Sequence, residues 1–299
     1  MITITKAEKS FGNIQALKSI SLNIPEGSIY GLIGSNGSGK STLLRAITGI
    51  YCLESGDVSV DGQAVFEQPD VKAALFYISD DQYTERNGCI LEMAQRYATM
   101  YPNYDVDYAL EVAKIFKLDP TRRFKTFSKG MIRQSHIILG LAAKTKYLLC
   151  DETFDGLDPV KRQAVKKLLV EAVLERQATV VIASHNLREL EDICDHVGFI
   201  HQGELVLERN MDDLATGIYK LQTAFDHVHR QADFADFAPV SFEQRGRMIS
   251  MIVRGDYDAL NAQIAAMQPL YSEILPLTLE EIFIAEMEVR GYDINDLVL

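Results

Sequence analysis

The sequence of 299 residues contains no tryptophan, and its four cysteines form no C-x-x-C pair. Widely spaced cysteines are typical of reduced, mostly buried thiols and argue against a disulfide framework. No run approaches the ~18 apolar residues that span a bilayer, and the opening MITITKAEKSFG has no hydrophobic signal core. We therefore expect no membrane span, and reduced thiols at Cys52, Cys89, Cys150 and Cys194.

Positive charge is also scarce, since the net charge is −12 and the sequence pI is about 5.0. An acidic surface repels phosphate backbones, so a nucleic-acid partner would need a local basic patch. The longest basic stretch, VKRQAVKK at 160–167, has the pattern of a solvated helix face. We expect no nucleic-acid partner. The absence of fixed-period repeats and heptads excludes a solenoid or a long coiled coil.

What the sequence does contain is 47% apolar residues, enough for a large core. KYLLCDE and TVVIASH are short apolar runs of the kind that form parallel strands buried on both faces, and helical patterns alternate with them. This predicts an α/β fold with a mostly parallel central sheet and short strands at the N-terminus. The sequence pattern predicts a helical subdomain at about 84–135. After residue 217 it changes, which predicts a separate α+β domain over 218–299.

The stretch GSNGSGKS at 34–41 matches G-x-x-x-x-G-K-[ST] at every fixed position. Lys40 is expected to neutralise the β- and γ-phosphates of a nucleotide, Ser41 to bind Mg²⁺ and Thr42 to contact the α-phosphate. A merely flexible glycine loop is the alternative, but an apolar strand before it and a helix after it favour nucleotide binding. The candidate nucleotide-binding residues are Gly34, Ser35, Asn36, Gly37, Ser38, Gly39, Lys40, Ser41 and Thr42.

LLCDE at 148–152 is an apolar strand that ends in two carboxylates. Asp151 is a candidate Mg²⁺ ligand, and Glu152 is the candidate base that orients and deprotonates an attacking water. Alone, an acidic pair after a strand is also explained by a helix N-terminus. His185 ends the strand TVVIAS, where a histidine can donate a hydrogen bond to a γ-phosphate.

FSKGM at 127–131 precedes an apolar helix and by itself indicates only a helix cap. Together with GSNGSGKS, LLCDE, FDGLDP and ASH, in this order and approximate spacing, it resembles the motif set of ATP-binding-cassette ATPases over about residues 2–215. In that family the signature sequence of one domain closes over the ATP held by a second domain. The resemblance assigns this role in trans to Ser128, Lys129, Gly130 and Met131.

Other positions follow from the resemblance one at a time. Phe11 matches the aromatic residue that stacks on adenine, although it is equally compatible with a core or edge position. Asp158 matches the loop that contacts the opposite subunit, and Asp155 stands where many relatives have asparagine. Asp80 falls where the family usually has the switch-loop glutamine, with Gln82 two residues later. A carboxylate at position 80 could hold metal-bound water, which makes Asp80 a further candidate for the metal site.

The resemblance implies an ATP-hydrolysing subunit that uses ATP and Mg²⁺, pairs with a second nucleotide-binding subunit and drives a separate transmembrane permease. It would then be cytoplasmic and peripheral on the inner face of the membrane. The S-K-G-M variant resembles the bacterial multidrug and antibiotic-peptide exporter subgroup. The alternative is a soluble cassette ATPase that acts as an assembly or regulatory scaffold. Translation and DNA-repair relatives usually carry two cassettes, coiled coils or zinc insertions, none of which is visible.

The helical stretch corresponds to the family subdomain that docks on the permease. Its aromatic residues are candidates for that contact or for internal packing: Tyr97, Tyr101 and Tyr104. The last eighty or so residues carry no chemical motif, and we expect them to help dimerisation or to tune activity.

Overall fold

The computed structural model describes residues 1–81, 84–211 and 217–289, with side chains up to residue 284. The chain separates into two compact units, Met1–Glu208 and Arg209–Leu299. The sequence places its domain boundary slightly later, at 217/218. Among the described residues, no helix has the length and apolar character needed to cross a membrane.

A six-stranded sheet forms the centre of the first unit. Its strands are β3 (Ile29–Ile33), β6 (Leu75–Ile78), β7 (Tyr147–Asp151), β8 (Thr179–Ser184), β9 (His196–His201) and β10 (Glu204–Asn210). The spatial order is β10-β9-β3-β8-β7-β6. β3 runs parallel to β8 and β9, and β7 runs parallel to β6 and β8. Every residue of β3, β7 and β8 is buried, which explains their continuous apolar runs.

A second, antiparallel sheet of the first unit has the order β2-β1-β4-β5. Its strands are β1 (Ile2–Phe11), β2 (Ile14–Ile24), β4 (Ser55–Val60) and β5 (Gln63–Ala64). One apolar core joins the two sheets: it contains Ile4 and Leu22 from this sheet, Leu149 from the parallel sheet, and Leu44 from the helix after the glycine loop. The core therefore fixes that helix between the sheets.

Helices surround the parallel sheet in the order that the strand–helix alternation predicts. They are α1 (Lys40–Ile47), α2 (Pro69–Lys72), α3 (Ile90–Tyr97), α4 (Val106–Ile115), α5 (Lys129–Ala142), α6 (Pro159–Arg176) and α7 (Leu187–Leu190), with a 3₁₀ turn at Phe124–Thr126. The stretch predicted to be helical, about 84–135, holds α3, α4 and the first half of α5.

The tyrosines of that stretch pack internally. The rings of Tyr97 and Tyr101 lie 5.4 and 5.3 Å from the ring of Phe76, and the ring of Tyr104 lies 6.0 Å from that of Tyr97. All three tyrosines are half-buried. Of the two roles considered for them, packing inside the unit therefore accounts for the observed contacts.

The second unit is an α+β fold with a sheet of order β12-β13-β11-β14, antiparallel throughout. Its elements are β11 (Ile218–Ala224), a 3₁₀ segment (Gln231–Phe237), β12 (Ser241–Arg245), β13 (Met248–Arg254), α8 (Tyr257–Ala266), β14 (Tyr271–Pro276) and α9 (Leu279–Val289). It has its own core, formed by residues such as Leu221, Phe234 and Ile264. The 3₁₀ segment and β12 lack a clear pattern in the sequence and were not predicted.

Candidate nucleotide-binding site

The loop 34–39 links the carboxyl end of β3 to the start of α1. Gly37 and Gly39 have φ values of +81° and +112°, a region that disfavours residues with a Cβ atom. A Cβ on Gly34 would lie 2.2 Å from the carbonyl oxygen of Ile200, so only glycine fits where the loop passes β9. The glycine pattern therefore meets a local backbone requirement and a close approach to a neighbouring strand.

One polar side chain of the loop, that of Ser38, is buried. The Ser38 hydroxyl is buried and has no hydrogen-bond partner among the described residues. A buried, unpaired hydroxyl is costly, and a bound ligand oxygen would satisfy it. Ser35, Ser41 and Thr42 are half-buried and Asn36 is exposed. The loop and the first turn of α1 thus present the groups that a phosphate requires.

Lys40 spans this loop. Its ammonium group donates to the carbonyl oxygens of Gly34 at 2.6 Å and Ser35 at 3.2 Å. It also lies 3.3 Å from Oε1 of Glu152. The side chain is only 5% exposed, so a strongly localised positive charge lies at the edge of the sheet.

Asp151 ends β7 and is fully buried. The Ser41 hydroxyl donates to its Oδ1 at 3.0 Å, and the Tyr77 hydroxyl donates to its Oδ2 at 2.8 Å. Burial raises the pKa of Asp151, and the two hydrogen bonds oppose that rise. Burial, together with the Asp151 charge, raises the pKa of Tyr77 above 10.0, so the phenol remains a donor. Adjacent hydroxyl and carboxylate oxygens suit a Mg²⁺ ion, so the predicted pair fits this metal.

Tyr77 was not predicted as a site residue. It lies on β6, next to β7, and its register partner is Leu149, two positions before Asp151. A tyrosine in the otherwise apolar run ALFYIS was the available signal, because a buried phenol usually has a hydrogen-bond partner.

Glu152 follows β7 with φ of +46°, a left-handed conformation that is uncommon for glutamate. Its N–H donates to the carbonyl oxygen of Ala183 at 2.9 Å. Its Oε2 lies 2.9 Å from Nδ1 of His185. Because an ionised carboxylate can only accept, Nδ1 is the donor of this pair. One carboxylate therefore contacts both the ammonium group of Lys40 and the imidazole.

Asp155 adds a second carboxylate beside this pair. One side-chain ligand atom from each of Glu152, Asp155 and His185 lies within 4.8 Å of the others. Burial and the charge of Glu152 raise the pKa of Asp155. The Asp155 carboxylate thus lies close to that of Glu152.

Asp80 lies just beyond β6, but its carboxylate does not pair with the Ser41–Asp151 group. Its Oδ1 accepts a hydrogen bond from Arg133 of α5 at 2.7 Å. The motif order makes Asp80 a candidate for the metal site, and this stays a prediction. The structure adds an ion pair with Arg133, which the sequence did not single out. Gln82 lies outside the described residues.

Phe11, at the end of β1, is 44% exposed. Its ring packs edge-on against Tyr51 with 5.3 Å between centroids, and the Lys9 ammonium lies 5.6 Å from its centroid. It is therefore a surface aromatic at a strand end and not a core residue.

The signature residues lie at the start of α5. The Ser128 hydroxyl accepts a hydrogen bond from the N–H of Met131 at 3.2 Å, which is an N-cap. Ser128 and Lys129 are exposed, while Gly130 and Met131 are half-buried. A Cβ on Gly130 would lie 3.1 Å from the carbonyl oxygen of Gly156. Within the chain the seryl hydroxyl caps a helix, and the exposed face remains open to another molecule.

Asp158 caps a second helix in the same way. Its Oδ1 accepts a hydrogen bond from the N–H of Lys161 at 3.0 Å, at the start of α6. The residue is exposed. The carboxylate thus lies at the surface and belongs to a helix start, a cap that was not predicted from the sequence.

A family model described as ABC transporter matches residues 17–155. The chain is 32% identical over 291 residues to the ABC transporter ATP-binding protein YtrB of Bacillus subtilis, covering 96% of this chain and 98% of YtrB. It is 30% identical to the lantibiotic transport ATP-binding protein SrtF of Streptococcus pyogenes, over 71% of this chain and 92% of SrtF. It is also 30% identical to the methionine import ATP-binding protein MetN of Protochlamydia amoebophila, over 92% of this chain and 83% of MetN.

Solved structures share the fold of the first part of the chain. A dimeric structure of MJ0796, a bacterial ABC transporter cassette, aligns with a TM-score of 0.64 and 23% identity. The alignment covers 71% of this chain and 99% of that one. The cassette fold predicted from the motif order is confirmed.

Proposed function

Because this chain belongs to the ATP-binding-cassette family of transporter ATPases, we propose that it is the ATP-hydrolysing subunit of a bacterial exporter. One observation carries the hydrolytic part of the proposal: Glu152 contacts both Lys40 and His185 at the end of a buried strand. Export is favoured by the S-K-G-M signature and by similarity to SrtF, a lantibiotic transport protein. MetN, an import protein, is similar to the same degree, so the direction rests mainly on the signature.

Binding of ATP depends on the glycine loop and Lys40. The loop N–H groups and the helix start are suited to bind phosphate oxygens, and the ammonium group of Lys40 would neutralise charge on the β- and γ-phosphates. Thr42 is suited to contact the α-phosphate, and exposed Phe11 offers a face for adenine. Ser41 and Asp151 are the residues that would hold Mg²⁺, which when bound neutralises charge on the phosphate oxygens.

Hydrolysis depends on Glu152. Its carboxylate orients the attacking water and accepts a proton from it as the water oxygen bonds to the γ-phosphorus and the ADP oxygen leaves. His185 keeps the carboxylate in place through Nδ1–H. Only with a proton on each ring nitrogen could it also donate from Nε2 to the γ-phosphate. Lys40 stabilises the charge that develops on the transferred group.

The proposal extends to partners. Exposed Ser128, Lys129 and Asp158 provide a surface for a second nucleotide-binding subunit in the head-to-tail arrangement of the family. A separate permease would hold the pair at the inner face of the membrane. Co-purification with a polytopic membrane protein that stimulates ATP turnover supports this partner. A fully active chain without such a protein would favour the scaffold alternative.

For the second unit we propose an accessory role in dimerisation or in setting the rate of turnover. The similarity to YtrB spans 96% of the chain, whereas the similarity to SrtF spans 71%. The SrtF alignment therefore leaves more than a quarter of this chain unmatched. A chain ending at Ala215 that matched the full chain in dimerisation and turnover would count against this role.

The substitution Glu152→Gln tests the proposed chemistry. An amide cannot accept the proton, so we expect turnover to fall by roughly 10²–10⁴-fold. Nucleotide binding, measured by equilibrium titration, is expected to remain. The matched control is Glu175→Gln on the exposed face of α6, which should leave turnover unchanged. An unchanged turnover number in Glu152→Gln would remove this residue as the base.

A further inference from the structure

Arg133 joins three segments of the first unit that are far apart in the sequence. It lies on α5, one turn beyond the signature, and its side chain is 18% exposed. Its NH2 donates to Oδ1 of Asp80, which follows β6, at 2.7 Å. Its NH1 donates to the main-chain carbonyl oxygen of Glu152, which follows β7, at 3.1 Å. We name this set of contacts the Arg133 clasp.

The backbone of Glu152 needs external support. With φ of +46° it adopts a conformation that persists in a glutamate only where the surroundings enforce it. Its N–H is bound by Ala183, and its carbonyl accepts from the N–H of Asp155 at 3.2 Å as well as from Arg133. A carbonyl oxygen has two lone pairs, so both donors are accommodated. Strand β8 thus holds one side of this peptide and α5 holds the other.

The charge of Asp80 explains why an arginine is required. Asp80 is 53% exposed and carries a carboxylate 2.7 Å from the guanidinium of Arg133. A guanidinium group can donate to two acceptors at once in a fixed geometry, which a lysine ammonium on a flexible stem does less well. Arg133 therefore neutralises Asp80 and keeps a second N–H for Glu152.

The same helix holds the segment after β6 at a second point. The Thr84 hydroxyl lies 2.8 Å from Nε2 of His136, three residues beyond Arg133 on α5. Burial, with a contribution from Arg133, lowers the pKa of His136 to about 4. The imidazole is thus neutral near pH 7, and its bond to Thr84 does not depend on protonation there. Asp80 and Thr84 therefore either move with α5 or lose their contacts with it.

We propose that Arg133 is a positioning residue for hydrolysis: it holds the peptide that carries Glu152 and ties its placement to α5 and to Asp80. This deepens the proposed ATPase function and rests on it. A displacement of α5, the helix that begins with the signature, would release the Glu152 carbonyl. The conformation of the catalytic peptide would then follow the position of the signature helix through one side chain.

The test uses the full chain and three variants. They are Arg133→Ala, Arg133→Lys, and a charge-swapped double variant that combines Asp80→Arg with Arg133→Asp. Three quantities are measured: kcat and KM for ATP with Mg²⁺, nucleotide affinity by titration, and hydrogen–deuterium exchange of the amides of residues 152–157. Arg96→Ala is the matched control, because Arg96 lies in the same helical stretch and, in the part of the chain that the structure describes, pairs at the surface with Glu85 at 3.0 Å.

In Arg133→Ala we expect kcat to fall roughly tenfold or more while KM and nucleotide affinity stay within about twofold. Exchange at residues 152–157 is expected to become faster. Arg133→Lys should be intermediate. The charge-swapped double variant restores an ion pair, but an aspartate cannot donate to the Glu152 carbonyl. Its kcat should therefore remain low, and its hydrogen–deuterium exchange should remain fast. Arg96→Ala should match the wild type.

Three results would overturn the inference: an unchanged kcat in Arg133→Ala, a reduced kcat with unaltered exchange, or full recovery in the charge-swapped double variant. The last would mean that neutralising Asp80 is sufficient. A wild-type chain that bound ATP without turnover would remove the proposed function itself. Hydrogen–deuterium exchange in the wild type and in Arg133→Ala would still show whether the clasp holds the Glu152 peptide. The two failures are therefore distinguishable.

Discussion

At the scale of single residues, the neighbouring carboxylates of Asp151 and Glu152 serve one site although they follow each other in sequence. Consecutive side chains of a strand point to opposite faces of a sheet. The left-handed conformation of Glu152 ends that alternation. Both carboxylates can therefore reach the glycine-loop side, Asp151 at Ser41 and Glu152 at Lys40. Their different partners then suit them to different roles, metal binding and proton acceptance.

Tyr77→Phe tests the support of Asp151. The change removes the hydroxyl that donates to Oδ2 at 2.8 Å and leaves the ring in place. We expect the Mg²⁺ concentration for half-maximal turnover to rise roughly tenfold, as is typical when a partner of a metal ligand is lost. Tyr108→Phe on α4 is the matched control and should leave this concentration unchanged. A Mg²⁺ titration identical to the wild type in Tyr77→Phe would show that Ser41 alone orients Asp151.

At the scale of secondary structure, α5 has two unlike halves. The first turns carry the cap Ser128 and exposed Lys129, while every residue from Gln134 to Ala142 is buried. The buried half approaches β6 closely at Gly140, where a Cβ would lie 2.7 Å from Cδ1 of Ile78. This close approach sets the distance between the signature helix and the strand that leads to Asp80. The contacts of α5 with Asp80 and Thr84 therefore depend on the packing of Gly140 against β6.

Gly140→Val tests that packing. The branched side chain overfills a buried contact, and we expect a loss of about 1–3 kcal/mol in the free energy of unfolding. With Ile78→Ala in the same chain, the combined loss should be smaller than the sum of the two single losses, because this substitution removes the atoms that the new Cβ meets. Leu174→Val on exposed α6 is the control, with an expected change within about 0.5 kcal/mol. Urea unfolding measures all three, and additive effects of the two substitutions would contradict direct contact.

At the scale of the whole molecule, the site of one chain contains only part of the motif set. The glycine loop, Asp151, Glu152 and His185 lie together, whereas Ser128 and Asp158 are exposed helix caps. A surface serine that caps a helix is compatible with contact to a second chain. If the proposed head-to-tail dimer forms, each nucleotide lies between the loop of one copy and the signature of the other.

Mixing two inactive variants tests this arrangement. Lys40→Ala removes the phosphate contact, and Ser128→Asp keeps a good N-cap but brings a negative charge toward the γ-phosphate. Each alone should lack turnover. In a head-to-tail dimer the mixed pairs contain one intact site, so an equal mixture should regain about a quarter of the wild-type sites.

If loop and signature acted within one chain, no mixture would recover turnover. As the control, each variant is mixed with an equal amount of the same variant. Nucleotide binding to Ser128→Asp alone is expected to remain, because the residue is not part of the glycine loop. Loss of that binding together with normal turnover per bound ATP would contradict the trans arrangement.

The sequence by itself determined those features whose physical cause lies in contiguous residues. The conformations required at Gly37 and Gly39, the cap at Ser128 and the buried parallel strands all follow from short patterns. They predicted the glycine loop, the cassette fold and the α+β character of the C-terminal region. They could not predict β12 or the 3₁₀ segment, whose residues have no clear periodicity.

Only the tertiary structure decided the contacts that orient the catalytic groups. Tyr77 reaches Asp151 because β6 and β7 are neighbours, and Arg133 reaches Asp80 and Glu152 because α5 packs beside the ends of these strands. Motif order alone made Asp80 a candidate for the metal site, and its ion pair with Arg133 became visible only in the structure. The physical reason is that a side chain's partner depends on which segments the shared core brings together, and sequence spacing carries no such distances.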